Sequence, residues 1–387
     1  MKIGVDIRTL MDARYSGVSE YTLNLLKRML ELDTINEYRF FYNSFGDCPN
    51  VPEFAKKNVR LIKYNYPNKI LNYFYFKIFN SPKIDKELEA DVFFMPHINF
   101  IGLSQGAKSL ITVHDLSFLR YGEFFSWRKN FWHRMVNVRK MIKRFSLVVA
   151  VSENTKRDIL ELCSISPDKI KVIYSGIGEE YRKLGDDQAA KLVEVKNKHG
   201  LPDKFILYLG TVEPRKNVEG IIGAYNQLRI KNYELRDYKL IIAGSRGWRS
   251  NNIYKKWEQS EFKNDIRFLD YVAGEDKVYL YNLASAFVYP SFYEGFGFPP
   301  LEAMAAGCPV IASFASSLPE VVGDAGLMVD PYNINDMARA MAEILTDKGL
   351  RNRLIARGLE QVKKFNWRNT ADEYLKILNN LKGSRLN

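Results

Sequence analysis

The stretch Tyr289-Pro290-Ser291-Phe292-Tyr293-Glu294-Gly295-Phe296-Gly297-Phe298-Pro299-Pro300-Leu301-Glu302-Ala303-Met304-Ala305-Ala306-Gly307 decides how this chain is read. It sets one carboxylate, Glu294, in a loop broken by Gly295 and Gly297, and a second, Glu302, inside the helix that follows. Pro299 and Pro300 pre-set that helix's first turn, because proline's fixed φ suits positions whose N–H groups have no partner. The amides after Glu294 then point into whatever lies at the helix mouth, a natural seat for phosphate or sugar oxygens. Two acceptors beside a row of donors suit a ligand with many hydroxyls and an anionic part, as a nucleotide sugar has. Taken alone, the same stretch also reads as a buried turn whose glycines permit tight packing. A dinucleotide-binding G-x-G-x-x-G is excluded, because Pro300 stands where its third glycine would be.

On either side of this stretch the chain alternates short β-branched runs with helical or loop segments. The first half carries apolar strand patterns at 2–7, 39–43, 59–64, 92–95, 110–114 and 147–152. A helix over 19–32 has Tyr21, Leu25, Leu26, Met29 and Leu30 as its inner face. After a polar helix and linker at 181–202, the alternation restarts with strands at 205–210, 239–243, 266–269, 287–289, 309–312 and 327–329. Such alternation predicts parallel sheets with helices on both faces. Two halves joined near 174–181 make a two-lobed, doubly wound α/β protein. Ligands of such sheets sit beyond the carboxyl ends of the strands, so one could lie between facing lobes.

Composition agrees. At 387 residues the chain is too long for one ordinary core, and two domains are expected. Its 46% hydrophobic and 26% charged residues describe a soluble globular protein. It opens directly on a strand pattern with no apolar signal region, which argues against secretion. No apolar run approaches the ~20 residues of a membrane span. Cys48, Cys163 and Cys308 are far apart and odd in number, as expected of reduced thiols in a cytoplasm.

The net charge of +12 implies an acidic partner, either nucleic acid or a membrane surface. Residues 120–144 carry Arg120, Arg128, Lys129, Arg134, Arg139, Lys140, Lys143 and Arg144 against Glu123 alone, among Tyr121, Phe124, Phe125, Trp127, Phe131 and Trp132. Residues 69–86 interleave Tyr73, Phe74, Tyr75, Phe76 and Phe79 with four lysines. Basic aromatic helices of this kind lie on anionic bilayers, although each also reads as an amphipathic helix with its aromatics in the core. No nucleic-acid-binding signature accompanies the charge, so the membrane is preferred and a nucleic-acid partner is not expected.

Several other places carry chemistry. In Gly210-Thr211-Val212-Glu213-Pro214-Arg215-Lys216-Asn217, two adjacent cations stand at a helix start, where the dipole opposes them. A bound anion would remove that conflict, Arg215 gripping it as a fork and Lys216 adding a mobile charge; the other reading is a solvated surface pair. In Tyr15-Ser16-Gly17-Val18-Ser19, Gly17 permits close approach of a phosphate to the backbone. His114 ends an apolar strand in Thr112-Val113-His114-Asp115-Leu116-Ser117-Phe118, where a histidine is most often a core or capping group; Asp115 is read as a cap. His97 follows Met95-Pro96 at another strand end and is a weaker candidate for the acceptor side. His133 and His199 sit in polar helices and read as structural or solvated, and Ser152 reads as a helix cap.

Glu294 to Glu302, with Pro290-Ser291, Glu294-Gly295-Phe296-Gly297 and Leu301-Glu302-Ala303-Met304 around them, closely resembles the E-x7-E signature of the retaining GT-B glycosyltransferases of glycosyl transferase group 1 (family 4). The resemblance covers nearly the whole chain. It implies two Rossmann-like lobes with an interlobe cleft: an acceptor lobe over 1–178, joined by a crossing helix over 366–387, and a donor lobe over 179–365. It implies that Arg215 and Lys216 neutralise the departing nucleoside diphosphate. Glu294 would accept a hydrogen bond from a donor-sugar hydroxyl, the amides of Phe296 and Gly297 would hold sugar oxygens with Gly295 allowing the turn, and Glu302 would take the ribose hydroxyls. The main chain at Tyr271-Val272 would meet the base, and His114 would reach the donor sugar near its reactive carbon. The family usually has paired glycines where this chain has Ser16-Gly17, so only Gly17 carries over.

The words around His114 and Arg215 most resemble mannosyltransferase-like members, which points to GDP-mannose, with UDP-sugars next. The expected reaction is retaining transfer to a growing, lipid-linked surface polysaccharide such as O-antigen, by a cytoplasmic protein peripheral on the inner face of the membrane. No Asp-x-Asp occurs, so no metal or other cofactor is expected, and the two cations would do the metal's electrostatic work. A hydrolase using Glu294 and Glu302 as its two carboxylates leaves the Arg-Lys pair unexplained. The remaining alternatives are a non-hydrolysing sugar-nucleotide 2-epimerase and a non-catalytic nucleotide-sugar-binding scaffold.

Overall fold

Long apolar runs such as Phe205–Leu209 and Lys239–Ala243 bury side chains on both faces, as a central parallel strand must. The computed structural model describes residues 1–12, 16–48, 50–68 and 70–383, so Tyr15 and Lys69 lie outside the described residues, as does the end of the segment 366–387. In the first half β1 (Lys2–Asp6), β2 (Glu37–Asn43), β3 (Val59–Tyr64), β4 (Val92–Met95), β5 (Ser109–Val113), β6 (Leu147–Ala150) and β7 (Ile170–Val172) form one parallel sheet. Its order is β3-β2-β1-β4-β5-β6-β7. In the second half β8 (Phe205–Leu209), β9 (Lys239–Ala243), β10 (Ile266–Leu269), β11 (Ala286–Tyr289), β12 (Val310–Ser313) and β13 (Gly326–Val329) form another, ordered β10-β9-β8-β11-β12-β13. Both are doubly wound. The strand order reverses between β1 and β4 in one and between β8 and β11 in the other, and such a reversal opens a crevice at the strands' carboxyl ends. The predicted α/β class with two Rossmann-like sheets is what the chain forms. β7 was not expected: only three residues long, with Lys171 exposed, it lacks the apolar run that marks the others.

The chain divides into two compact units, one of Met1–Leu119, Arg128–Gly176 and Asn366–Asn387, the other of Arg120–Trp127 and Ile177–Phe365. In the first unit, helix Gly17–Leu32 starts at Ser16, whose side chain accepts from the Ser19 amide at 3.3 Å. Its inner residues Tyr21, Leu25, Leu26, Met29 and Leu30 are buried. Helix Trp367–Gly383 packs against it. The Tyr374 hydroxyl stands 2.7 Å from that of Tyr21 and 2.7 Å from that of Thr112, in a fully buried set. Gly176 lies so close to the start of this last helix that a Cβ there would stand 2.2 Å from the Trp367 nitrogen.

The basic aromatic segment 120–144 is not the one helix the sequence predicts. It breaks into a short α-helix Ser117–Arg120, a 3-10 helix Gly122–Phe124 and helices Trp127–Val136 and Val138–Ile142. Asn137 makes the last break, at φ 50°, a left-handed conformation that asparagine tolerates. Within the second unit Phe125 is buried and stacks on Trp248 at 5.7 Å, and Phe124 stacks on Phe292 at 5.8 Å. Those two rings therefore serve packing. Residues Ile70–Phe79 form a π-type helical segment. No helix among the described residues is long and apolar enough to cross a membrane.

Replacing Tyr374 with Phe removes one hydroxyl shared by two buried partners, and a buried donor or acceptor left unpaired costs about 1–3 kcal/mol. Tyr374→Phe should lower the urea midpoint of the first unit's transition. An unchanged midpoint would show that the hydroxyls do not hold the last helix.

Candidate functional site

Adjacent strands β8 and β11 send their following loops to the same end of the second sheet. After β8, Gly210 bonds through its amide to the Ala243 carbonyl at 2.9 Å, and Gly244 at φ +139° passes so close that a Cβ would meet the Gly210 oxygen at 2.0 Å. Only glycine fits there. Pro214–Lys216 is a short 3-10 turn, and Asn217 at φ 57° caps helix Val218–Lys231 by accepting from the Gly220 amide at 3.2 Å. The Asn217 side-chain Nδ2 also donates to the Pro290 carbonyl at 3.2 Å and the Pro331 carbonyl at 2.6 Å. The Phe292 amide donates to the Arg215 carbonyl at 3.0 Å. The two loops are thus stitched by one main-chain bond and the Asn217 side chain, independently of the ion pairs.

The cations then meet the first carboxylate of the opening stretch. Lys216 Nζ donates to Glu294 Oε1 at 2.6 Å and to the Tyr289 hydroxyl at 2.6 Å. Arg215 donates to Glu294 Oε2 at 3.2 Å and the Tyr293 carbonyl at 2.6 Å, and through two nitrogens to Glu213 Oε1 at 3.1 and 2.9 Å. Lys216, Glu213 and Glu294 are buried and Arg215 is half-buried. The dipole conflict read from the sequence is therefore relieved without a ligand. The cations precede the Asn217 cap instead of entering the helix, and Glu213 and Glu294 balance their charge.

Burial pushes each charged group toward its neutral form. For Glu294 the neighbouring Lys216 and Arg215 outweigh burial and bring its pKa from an ordinary 4.5 to about 2. For Glu213 burial wins over the same two cations and the pKa is raised. Lys216 is lowered, by burial first and then by Arg215.

The next loop carries Gly295, Phe296 and Gly297, all buried. Ser317 donates to the carbonyls of Glu294 at 3.0 Å and Phe296 at 2.6 Å. A trans peptide holds its N–H opposite its C=O, so the amides of Gly295 and Gly297 point away from Ser317. The Glu294 amide donates to Ser316 Oγ at 2.8 Å. Gly297 sits at φ +121° with the Leu318 side chain 2.9 Å from where a Cβ would stand. Helix Phe298–Ala305 follows, its prolines in the first turn, and buries Glu302, whose Oε2 accepts from the Tyr281 hydroxyl at 2.8 Å. Val272 is buried in the loop after β10, beside an exposed Tyr271.

Arg215, Lys216 and Glu294 are thus joined directly, with Gly295, Phe296, Gly297 and Glu302 next along the chain. His114 and Gly17 belong to the first unit. His114 is half-buried at the end of β5, its Nε2 donating to the Pro96 carbonyl at 2.8 Å and its ring edge-on to Tyr21 at 4.6 Å. Burial lowers its pKa. Gly17 is the exposed first residue of its helix, and a Cβ there would meet no non-neighbouring atom of the described residues within 4 Å. Asp115 is a cap, accepting from the Ser117 amide at 3.0 Å, and Ser152 caps helix Glu153–Cys163. His133 stacks on Phe118 and His199 bonds Asp276 at 2.8 Å.

Sequence reasoning gave no role to Glu213, Tyr289, Asn217 or Ser317. The one legible sign was Glu213 itself, an acid two residues before a cation at a strand end.

Because its folded pKa is depressed, the Glu294 contribution to stability is complete above the ordinary 4.5 and disappears as pH falls through about 2. The difference in urea midpoint between the native chain and Glu294→Gln should therefore be widest near neutral pH and close across that acid interval. A difference independent of pH would mean that the carboxylate's charge does not hold the two cations.

Two family profiles match the chain in succession: one described as Glycosyltransferase Family 4 over residues 15–181, and one described as Glycosyl transferases group 1 over residues 192–361. The O-antigen chain mannosyltransferase B of Escherichia coli is 32% identical over 377 residues, covering 92% of this chain and 93% of that protein. Among solved structures, a sucrose-phosphate synthase from Thermosynechococcus elongatus superposes with TM-score 0.76 at 20% identity, over 99% of this chain and 100% of that one. Anabaena HepE in complex with UDP and glucose superposes with TM-score 0.72 at 17% identity, over 98% of this chain and 100% of that one. These two share the GT-B fold with this protein. By its sequence, the chain belongs to the group 1, family 4 glycosyltransferases.

Proposed function

We propose that the protein transfers mannose from GDP-mannose to a hydroxyl of a growing, lipid-linked surface polysaccharide of the O-antigen kind, with retention of configuration and without a metal. The observation that carries this reading is the adjacent pair of cations, Lys216 buried and Arg215 half-buried, between β8 and β11, at the strand reversal where α/β sheets bind ligands. Arg215 and Lys216 are placed to meet the negative charge that grows on a leaving diphosphate. The name of the Escherichia coli mannosyltransferase and the UDP held by Anabaena HepE support a nucleotide-sugar donor.

In the reaction the bond from the sugar's anomeric carbon to the phosphate oxygen breaks, and the acceptor oxygen bonds the same face. The acceptor's proton passes to the leaving phosphate. The protein positions the partners and stabilises charge. Glu294 has lone pairs left over from its two cations and accepts from a sugar hydroxyl. The amides of Phe296 and Gly297 hold sugar oxygens with Gly295 allowing the turn, Glu302 takes the ribose, and the Val272 main chain meets the base. For His114 and Gly17 the family resemblance alone supports contact with the donor sugar and with an anionic or acceptor group.

The lipid-linked acceptor implies a docking surface, and the first unit offers one. Segment Ile70–Phe79 leaves Phe74, Ile78 and Phe79 exposed at 53%, 64% and 58%, and helix Trp127–Val136 leaves Phe131 exposed at 53%. Lys77 donates to the Met135 carbonyl and Arg144 to Asn80 Oδ1 at 2.8 Å, which ties the apolar patch to its cationic surroundings. Arg134, Arg139, Lys140 and Lys143 are exposed on the same run of helices. Apolar side chains ringed by cations fit an anionic bilayer on the inner face of the membrane.

Purified protein given GDP-mannose and an acceptor glycan should form an α-linked product, read by proton NMR, at a rate that EDTA leaves unchanged. Arg215→Ala with Lys216→Ala should weaken GDP binding by about 1.5–3 kcal/mol for each lost charged hydrogen bond, with the fold intact. Unchanged GDP affinity would reject the site; sugar inversion without an acceptor would make the protein an epimerase, and tight binding without turnover a scaffold.

Flotation with phosphatidylglycerol vesicles should carry the protein at low salt and less of it at high salt, since screening weakens docking. Phe74→Ser with Ile78→Ser should reduce flotation at both. Equal flotation of that variant would remove the patch from the docking surface.

A further inference from the structure

The loop after β12 departs twice from what its own residues prefer, and both departures serve Glu294. Ser316 has φ 56°, a left-handed conformation that disfavours every residue with a Cβ and that glycine adopts freely. Its hydroxyl is what glycine would lack: Ser316 Oγ accepts from the Glu294 amide at 2.8 Å. Ser317 stands at the start of helix Leu318–Val322, where a serine ordinarily accepts from an amide of that helix's first turn. Its side chain makes no such bond. The hydroxyl donates instead to the carbonyls of Glu294 at 3.0 Å and Phe296 at 2.6 Å. A hydroxyl has one proton, so the two carbonyls share it.

A third serine extends the pattern. Ser313, the last residue of β12, donates to the Ser291 carbonyl at 2.5 Å. Strands β11 and β12 are paired, which sends their loops out side by side. Glu294 is consequently held at four points: its amide by Ser316, its carbonyl by Ser317, Oε1 by Lys216 and Oε2 by Arg215. The cations fix where the carboxylate ends, and the serines fix where its side chain begins. Ser316 is only half-buried, so filling the core is not its task. Backbone strain of this kind persists where surrounding contacts over-determine it, and such places gather at functional sites.

We propose that Ser316 and Ser317 are positioning residues of the sugar transfer: by clasping the main chain of Glu294 they aim its carboxylate, and with it the Gly297 amide, at the donor sugar, while the diphosphate is left to Arg215 and Lys216. The assignment rests on the glycosyltransferase reading above. The clasp grips main chain and takes no ligand of its own. Holding the Phe296 carbonyl against Ser317 sends the Gly297 N–H the opposite way, because the two lie on opposite sides of one planar peptide. Groups fixed in this way before the donor arrives need no rearrangement during the reaction.

The test uses the full chain with substitutions at Ser316. Ser316→Gly removes the hydroxyl and the backbone strain together, so the urea midpoint should stay near native. Its kcat/KM for GDP-mannose should nevertheless fall about tenfold, the worth of one hydrogen bond, while GDP affinity by calorimetry stays within about twofold. Ser316→Ala removes the hydroxyl and keeps the strain, so it should lose as much activity and be less stable than Ser316→Gly. Ser316→Asn should recover most of the kcat/KM, because asparagine tolerates φ above zero and its side-chain oxygen accepts from a nearby amide. Native kcat/KM in Ser316→Gly would overturn the proposal. So would activities that simply follow the urea midpoints across the three variants, as a purely structural serine requires, or an equal loss of GDP affinity. If the native chain transfers no sugar, the enzymatic reading fails. The affinity for GDP-mannose relative to GDP then decides the clasp, and a ratio that Ser316→Gly leaves unchanged overturns it.

Discussion

Glu294 is the carboxylate that allows two cations to lie side by side in a nearly dry place. Arg215 and Lys216 are consecutive residues, and without a shared counter-charge their burial would cost several kcal/mol, since an unpaired buried ion carries a desolvation penalty of about that size. Glu213 satisfies only the guanidinium. Glu294 touches both, and it arrives from the loop after β11, whereas the cations arrive from the loop after β8. One side chain therefore does two jobs: it neutralises the pair and it pins together the two loops that flank the strand reversal. The main-chain bond from Phe292 to Arg215 and the side-chain bond from Asn217 Nδ2 to the Pro290 carbonyl fix the register in which the ions meet.

In the proposed transfer, the neutral balance of that cluster would have a chemical use. A site with two bare cations would hold a diphosphate in every state of the reaction. Cations already half-satisfied by carboxylates gain most when the incoming charge is largest, which is when the leaving group departs, and catalysis rests on such differences between ground and transition state. Tyr289, whose hydroxyl receives Lys216, and Tyr281, whose hydroxyl reaches Glu302, line up the remaining polar atoms around the same loops.

Much of this was legible in the sequence because it is local. The apolar runs of β1 through β6 and of the second sheet announce themselves, and Tyr21 to Leu30 mark the buried face of their helix by spacing alone. Glu294, Gly297 and the two prolines announce a loop that turns into a helix. What could not be read were pairings between distant residues. Nothing in the word around Arg215 says that its countercharge lies 79 residues on, so the sequence presented a dipole conflict that the fold had already resolved. The aromatics of 120–144 read two ways for the same reason: Phe125 looks like part of a surface helix, yet Trp248 stacks on it. β7 escaped notice because a three-residue strand with an exposed lysine leaves no periodic trace.

The hydroxyl set of Tyr21, Thr112 and Tyr374 bears on how the chain is made. Tyr374 is 262 residues beyond Thr112 and 353 beyond Tyr21. At a synthesis rate of about 5–20 residues per second, the first sheet emerges from the ribosome tens of seconds before the helix that completes it. During that interval Tyr21, Thr112 and the flank of helix Gly17–Leu32 stand open, while most of the second unit, drawn from one uninterrupted segment, has all its strands in hand. The half of the protein that is translated first is the half that must finish last.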